Sequence, residues 1–154
     1  MQFVNVALSQ GNSNLMFVTL LIAAYDGTTN RLTYVRAGHV PPFLRRADGT
    51  VERLEAAGGM PLGVMEDETY ESATVELRVG DELLIVTDGI TEAMDPSQRM
   101  FGDDRVATLI AHGDQRKGPL LHRLLTQVRT FEAGGPQSDD IAAILVGFED
   151  RTDP

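Results

Sequence analysis

A chain of 154 residues with 42% hydrophobic and 23% charged side chains has the length and composition of one globular domain with a core of its own. Its 13 basic and 23 acidic residues give a net charge of −10, and the basic ones are scattered rather than gathered into a stripe, which excludes a phosphate-backbone binder and makes nucleic acid an unsuitable partner. With no cysteine there is no disulfide framework, no thiol nucleophile and no thiolate ligand, so any metal would be held by oxygen or imidazole.

In chain order, "MQFVNVALSQ" is helix-like over residues 2–10 and lacks the basic region of a signal peptide. The longest apolar stretch, Leu15 to Tyr25, is too short to span a bilayer, so the expectation is a cytoplasmic chain with no membrane segment. "MFVTLLIAAYD" (16–26) and "RLTYVRAG" (31–38) are β-rich runs joined by the polar turn "GTTN", which predicts an antiparallel hairpin. "PPFLRRADGTVERLE" (41–55) predicts a second hairpin around Asp48-Gly49, with Arg45-Arg46 as a solvated basic pair. Residues 69–89 alternate through Tyr70, Ala73, Val75 and Leu77, turn at Gly80-Asp81 and re-enter as the buried run Leu83–Val86, giving a meander-like pattern.

The second block is helical. Residues 103–113 place Val106, Leu109 and Ile110 on one face and stop at Gly113. Residues 118–135 carry Leu121, Leu124, Leu125, Val128 and Phe131 at helical spacing, with Pro119 in the first turn and Gly134-Gly135 at the end. A last apolar run, 141–149, predicts a strand preceded by "PQSDD", and residues 149–154 predict a frayed acidic tail. His112 and His122 fall on helix surfaces.

Two places put Asp at the mouth of what reads as a buried strand: Asp88 in "TDG", and Asp139-Asp140 before Ile141–Val146. No Lys or Arg lies within five residues of Asp88, so compensation for the carboxylate must come from the turn or from a cation. If the two strands are antiparallel neighbours, the carboxylates converge, and a hard divalent cation such as Mg²⁺ or Mn²⁺ would relieve their repulsion. The bland alternative is that Asp-Gly is a structural turn and Asp139 or Asp140 an Asx cap. The residues alone leave both open.

Five fragments follow one another in a known order: "MFVTLLIAAYDGTTNRLTYVRAGHVPPFLRR", "GGMPLGV", "GDELLIVTDGITEAMD", "FGDDRV" and "PQSDDIAAILV". Together, over about residues 14 to 148, they resemble the SpoIIE (RsbU-like) branch of the metal-dependent PPM serine/threonine phosphatases. That resemblance implies an α+β fold, a PPM-type β-sandwich flanked by helices, present in part. It also implies a centre of two Mn²⁺ or Mg²⁺ ions that activates water against phosphoserine or phosphothreonine. By the same resemblance Asp88 and Asp139 are the metal and catalytic aspartates. Gly89 gives the turn that aims Asp88, and Asp140 supports the ligands without being one. Gly38 and His39 of "AGHVPP" form a turn that the imidazole braces.

The family's Asp-x-x-Gly-His-Gly motif, which supplies the bridging Asp, does not occur in these 154 residues, so the chain resembles an N-terminally truncated domain with weak metal binding. Two functions of different class follow. One is a phosphatase acting on a phosphorylated anti-sigma-factor antagonist or similar regulator in bacterial signalling. The other is a catalytically inactive module for protein–protein interaction. An uncharged apolar run around Phe17, Leu20, Leu21 and Ile22 further predicts an open sheet edge and a homodimer through it, with residues 2–10 able to swap.

Overall fold

The computed structural model describes residues 1–112, 117–135 and 139–149. Among these the elements run α1 (Gln2–Ser9), β1 (Leu20–Asp26), β2 (Arg31–Ala37), β3 (Phe43–Arg45), β4 (Val51–Arg53), β5 (Ala73–Glu76), β6 (Glu82–Val86), α2 (Asp88–Thr91), α3 (Asp103–Ala111), α4 (Lys117–Glu132) and β7 (Ala143–Gly147). The chain divides into two compact units, Met1–Pro41 with Glu55–Leu77 and Pro42–Leu54 with Arg78–Pro154. Every strand pairing is antiparallel, and the fold class is α+β.

The first unit holds the sheet β1-β2-β5. β2 alternates, with Leu32 and Tyr34 buried and Arg31 and Thr33 exposed. The hairpin register runs from Leu20↔Ala37 to Asp26↔Arg31, so the loop is the predicted four-residue turn. Its chemistry is local. Asp26 accepts the Thr28 amide (2.8 Å) and the Thr28 and Thr29 hydroxyls (2.6 and 2.8 Å), while Asn30 takes the left-handed conformation at φ 53°. The Thr28 hydroxyl foremost, then its amide, holds the Asp26 carboxyl down at about 2. β1 starts four residues later than predicted, and from Met16 to Thr19 only Val18 joins a bridge, to Leu62. α1 is fixed by Asn5, fully buried, whose amide donates to Met65 O (2.7 Å) and accepts from Gly63 N (2.9 Å).

The second unit holds the sheet β4-β3-β6-β7. The predicted hairpin at Asp48-Gly49 forms between three-residue strands, with Arg45↔Val51 closing the register and Gly49 at φ 89°. β6 is central and buried on both faces, which is why its run carries no alternation. β7 differs from expectation. It is an edge strand whose side chains alternate, with Ile144 58% and Val146 39% exposed, so the apolar run 141–146 is not a buried strand. α4 buries Leu120, Leu124 and Val128 at four-residue spacing and packs on α3 and β7. The predicted Leu121 and Leu125 lie beside that stripe, half-buried, and Phe131 meets Phe101 edge-to-face at 5.4 Å. The predicted helix stop at Gly113, the residues PQS before Asp139 and the frayed tail beyond Glu149 lie outside the described residues.

Two expectations are corrected. β5 and β6 do not form a meander: β5 pairs with β2 and β6 with β3 and β7, so the two strands belong to different sheets. The Gly80-Asp81 turn is therefore a crossing between sheets, closed by Asp81, 1% exposed, which accepts Arg78 N (3.0 Å), Ala47 N (3.1 Å) and Arg46 Nη1 (2.8 Å). Nor is Arg45-Arg46 a solvated pair. Arg45 is buried against Glu82 at 3.3 Å, and Arg46 bridges Asp81 and Glu52. A buried guanidinium persists only with such partners.

Candidate active site

Val86 pairs with Ala143 at the end of β6, and the next three residues turn into the one-turn helix α2. Thr87 ties this exit to the entrance of β7. Its amide donates to Ala142 O (3.1 Å), its hydroxyl donates to Asp140 O (2.8 Å), and the same oxygen accepts Ala142 N (2.9 Å). A β-branched hydroxyl at that position extends the ladder by one side-chain rung beyond the last strand residue. Gly89 is buried against the opposite backbone: a Cβ there would stand 2.5 Å from Asp140 O and 3.1 Å from Asp139 O. Asp88, Gly89, Asp139 and Asp140 are thus brought to one end of the β6–β7 pair, as neighbouring antiparallel strands require.

The question posed by Asp88 has a local answer. Asp88 is exposed, so the carboxylate is not desolvated by the apolar run before it; the residues that follow, Gly89 and Ile90, are the buried ones. Asp88 Oδ1 accepts the Gly89 amide at 3.0 Å, and Asp139 Oδ1 accepts the Asp140 amide at 2.6 Å. Both are short-range Asx-type bonds. They orient the carboxylates without neutralising them, and Asp139 and Asp140 are exposed as well.

Among the described residues no group of three or more His, Asp or Glu side chains is close enough together to hold a metal ion. The donors present are carboxylate oxygens, the type that Mg²⁺ and Mn²⁺ prefer, and Mg²⁺ is commonly held by one or two carboxylates with water and substrate phosphate completing its shell. In chemistry and in number, Asp88 with Asp139 fits that pattern, and Gly89 supplies the close backbone approach.

Gly38 and His39 belong to the first unit. Gly38 has φ 68°, its amide donates to Gly59 O (2.8 Å), and a Cβ would strike Pro61 Cγ at 2.5 Å, so only glycine fits. His39 Nδ1 donates to Val40 O (2.8 Å), a bond within the turn. The residue that organises this segment is Arg36, which the sequence reading passed over. Only 8% exposed, it donates to His39 O (2.7 Å) and Glu55 O (2.8 Å), binding two loops into one. Its signal was an arginine at the inward phase of an alternating strand. Thr87 was equally unmarked. His112 and His122 are on helix surfaces, as expected.

No helix among the described residues is long and apolar enough to cross a membrane. The family model for stage II sporulation protein E (SpoIIE) matches residues 1–149. The chain is 30% identical over 131 residues to protein IcfG of Synechocystis sp. and 31% identical over 130 residues to the phosphoserine phosphatase RsbP of Bacillus subtilis, alignments that cover 85% and 84% of it. It spans only 20% of the first and 30% of the second. The SiaA-PP2C domain of Pseudomonas aeruginosa superimposes with a TM-score of 0.78 at 20% identity, over 94% of this chain and 58% of that one. With the family model spanning nearly all of its length, the chain belongs to the SpoIIE family, in the SpoIIE/RsbU-like branch of the PPM phosphatases.

Proposed function

We propose that this chain carries two metal-binding carboxylates of a cytoplasmic protein serine/threonine phosphatase, one that dephosphorylates a regulator of the anti-sigma-factor-antagonist kind. Family membership supports the reaction class, since the SpoIIE family is one of metal-dependent phosphatases. The observation that carries the reading to particular residues is the seating of Gly89 on the Asp139-Asp140 backbone, which brings Asp88 beside Asp139 at one sheet end.

Asp88 and Asp139 would hold Mn²⁺ or Mg²⁺, with two ions in a complete site and weak affinity in this chain. When bound, the cation would supply Lewis acidity toward water and the phosphoryl group. The residues' own part is positional. Thr87 pins the Asp140 carbonyl, the Gly89 and Asp140 amides each hold one carboxylate oxygen, and the exposure of both aspartates leaves the site open to a phosphoprotein side chain.

Calorimetric titration of Mn²⁺ tests this. Weak saturable binding is expected, abolished by Asp88→Asn and by Asp139→Asn, together with slow Mn²⁺-dependent hydrolysis of p-nitrophenyl phosphate. Binding heats that neither substitution changes would defeat the assignment.

A second reading, a module for protein–protein interaction, is favoured by β1. It lies at the end of its sheet, with Ile22 (46%) and Tyr25 (47%) exposed along it and Phe17 (60%) exposed just ahead of it. No Lys or Pro blunts that edge. The partner proposed for it is a second copy of the chain, since Met1 to Tyr25 carries no charge while the chain as a whole repels itself at −10.

A further inference from the structure

α1 is built inside out. The residue it turns fully inward is Asn5, whose amide donates to Met65 O and Glu66 O (2.7 and 3.3 Å) and accepts from Gly63 N (2.9 Å). One turn further on, the Ser9 hydroxyl is buried too, with no hydrogen-bond partner among the described residues. Phe3, Val4, Ala7 and Leu8 fall on the opposite face at helical spacing, and all four are exposed, Phe3 to 85%. A surface helix ordinarily turns its apolar side in, because burying a polar group needs hydrogen bonds to compensate it and burying Phe or Leu needs none. Here polar bonds fix the inner side, and the apolar stripe is left outside.

The stripe continues into its surroundings within the same unit. Gly63, at φ 89°, is where the neighbouring segments meet: a Cβ there would stand 3.0 Å from Met16 O and 3.7 Å from Leu8 Cβ. Asn12 Nδ2 donates to both Met16 O (2.6 Å) and Gly63 O (3.1 Å). Met16, Val64 and Met65 are exposed beside this junction. Two of the three are methionines, whose unbranched side chains adapt to whatever covers them. A contiguous apolar surface of this kind marks an interaction site.

The surrounding charge selects the partner. Glu66, Asp67 and Glu68 follow Met65 directly, and Glu66 and Asp67 are exposed and form no ion pair among the described residues. The unit made of Met1–Pro41 with Glu55–Leu77 has seven acidic residues against two arginines, Arg31 and Arg36, of which Arg36 is buried. A second copy would set this acidic rim against itself, whereas a partner with basic residues beside its apolar stripe would complement it. The shape favours a helix. Phe3 with Ala7 and Val4 with Leu8 are i, i+4 pairs that make two ridges with a groove between them, and the small Ala7 lets a facing helix approach closely.

We propose that the outer face of α1, with Met16, Val64 and Met65, docks an amphipathic helix of another protein whose apolar stripe is flanked by Lys or Arg. This surface uses no residue of β1 and does not depend on the metal assignment.

The test is fluorescence anisotropy with three labelled peptides of about five helical turns: a Leu/Lys amphipathic helix, the same composition shuffled to remove the stripe, and the Leu/Glu counterpart. The wild-type chain should bind the Leu/Lys helix roughly tenfold more tightly than either control. Phe3→Ser combined with Leu8→Ser alters only exposed side chains, so it should keep the thermal midpoint and weaken Leu/Lys binding roughly tenfold. Glu66→Gln combined with Asp67→Asn should weaken it roughly threefold and flatten its salt dependence. Ile22→Ser, on β1, should leave it unchanged. No binding of the Leu/Lys helix, equal binding of a control peptide, or wild-type affinity in the Phe3→Ser, Leu8→Ser chain would each overturn the proposal. A lowered midpoint in that chain would do so as well, because it would show the stripe already packed by the protein itself. Lost binding in Ile22→Ser would move the surface to β1. A wild type that dimerises in light scattering while the Phe3→Ser, Leu8→Ser chain does not would make the occupant a second copy. Phe3-dependent sedimentation with phosphatidylcholine–phosphatidylglycerol vesicles would make it a membrane, and each of these three results also overturns the proposal.

Discussion

Gly89→Ala isolates what holds the two aspartates together. Gly89 is helical, and exchanging a helical glycine for alanine ordinarily gains about 0.5–1 kcal/mol. Here the added Cβ meets Asp140 O at 2.5 Å, Asp140 C at 3.0 Å and Asp139 O at 3.1 Å, all backbone atoms with no rotamer to change. Restoring ordinary contact moves that backbone by roughly an ångström. The Thr87 hydroxyl then loses its bond to Asp140 O, now 2.8 Å, worth about 1 kcal/mol, on top of about 1–3 kcal/mol of overpacking. The sum is a net loss of about 1–3 kcal/mol. At about 2–4 °C per kcal/mol for a chain of this size, the thermal midpoint should fall by several degrees. Mn²⁺ affinity should fall too, with both carboxylates intact. The control is Gly49→Ala, where φ is 89° and the nearest atom stands at 3.7 Å: it should cost about 1 kcal/mol through backbone strain and leave Mn²⁺ binding alone. A Gly89→Ala chain as stable as wild type, or more so, would refute the reasoning.

The remaining expectations are separable. Asp81→Ala removes the acceptor of Arg46 Nη1 and two backbone amides in a buried turn and should lower stability by about 3 kcal/mol, seen as an earlier thermal transition by circular dichroism; an unchanged midpoint contradicts it. Asp26 should titrate near 2 by NMR, and Thr28→Val should raise that value. Because the folded value lies below the ordinary 3.8, the contribution to stability is full above about pH 4 and is lost as pH falls through about 2; a folded-state value near 3.8 rules it out. Ile22→Lys, on the open edge of the first sheet, should convert a self-associating chain to a monomer in light scattering, and a wild type already monomeric at high micromolar concentration removes the dimer.

Most strands were legible where one face is buried and the other wet, as in Leu32, Thr33 and Tyr34, because period-two alternation is then forced. Legibility failed in two opposite cases. β6 is buried apart from a half-buried Ile85 and β7 is an edge with an exposed face, yet Leu83–Val86 and Ile141–Val146 look alike as sequences, since apolar content reports β-propensity as well as burial. Strand partners beyond the two hairpins and the β6–β7 pair were also out of reach. Gly80-Asp81 has the residues of a hairpin turn, and what makes it a crossing is Asp81 meeting Arg46 and Ala47, 35 and 34 positions away. Long-range ion pairs such as Arg45 with Glu82 leave no periodic mark on either partner.

The motifs of the proposed site stand out in the sequence for a different reason. "TDG" and "SDD" are local motifs, and each does local work: Asp88 holds its neighbour's amide, and so does Asp139. Taken singly, either is an ordinary turn. What distinguishes them is the join, Thr87 bonded to Asp140 and Ala142 and Gly89 pressed to a contact that no side chain could share. A turn needs none of that rigidity, because its own Asx bonds already close it. The seating of Gly89 on the Asp139-Asp140 backbone, at a position where a Cβ would meet two carbonyl oxygens, is therefore the constrained feature, and it holds two exposed carboxylates at one sheet end.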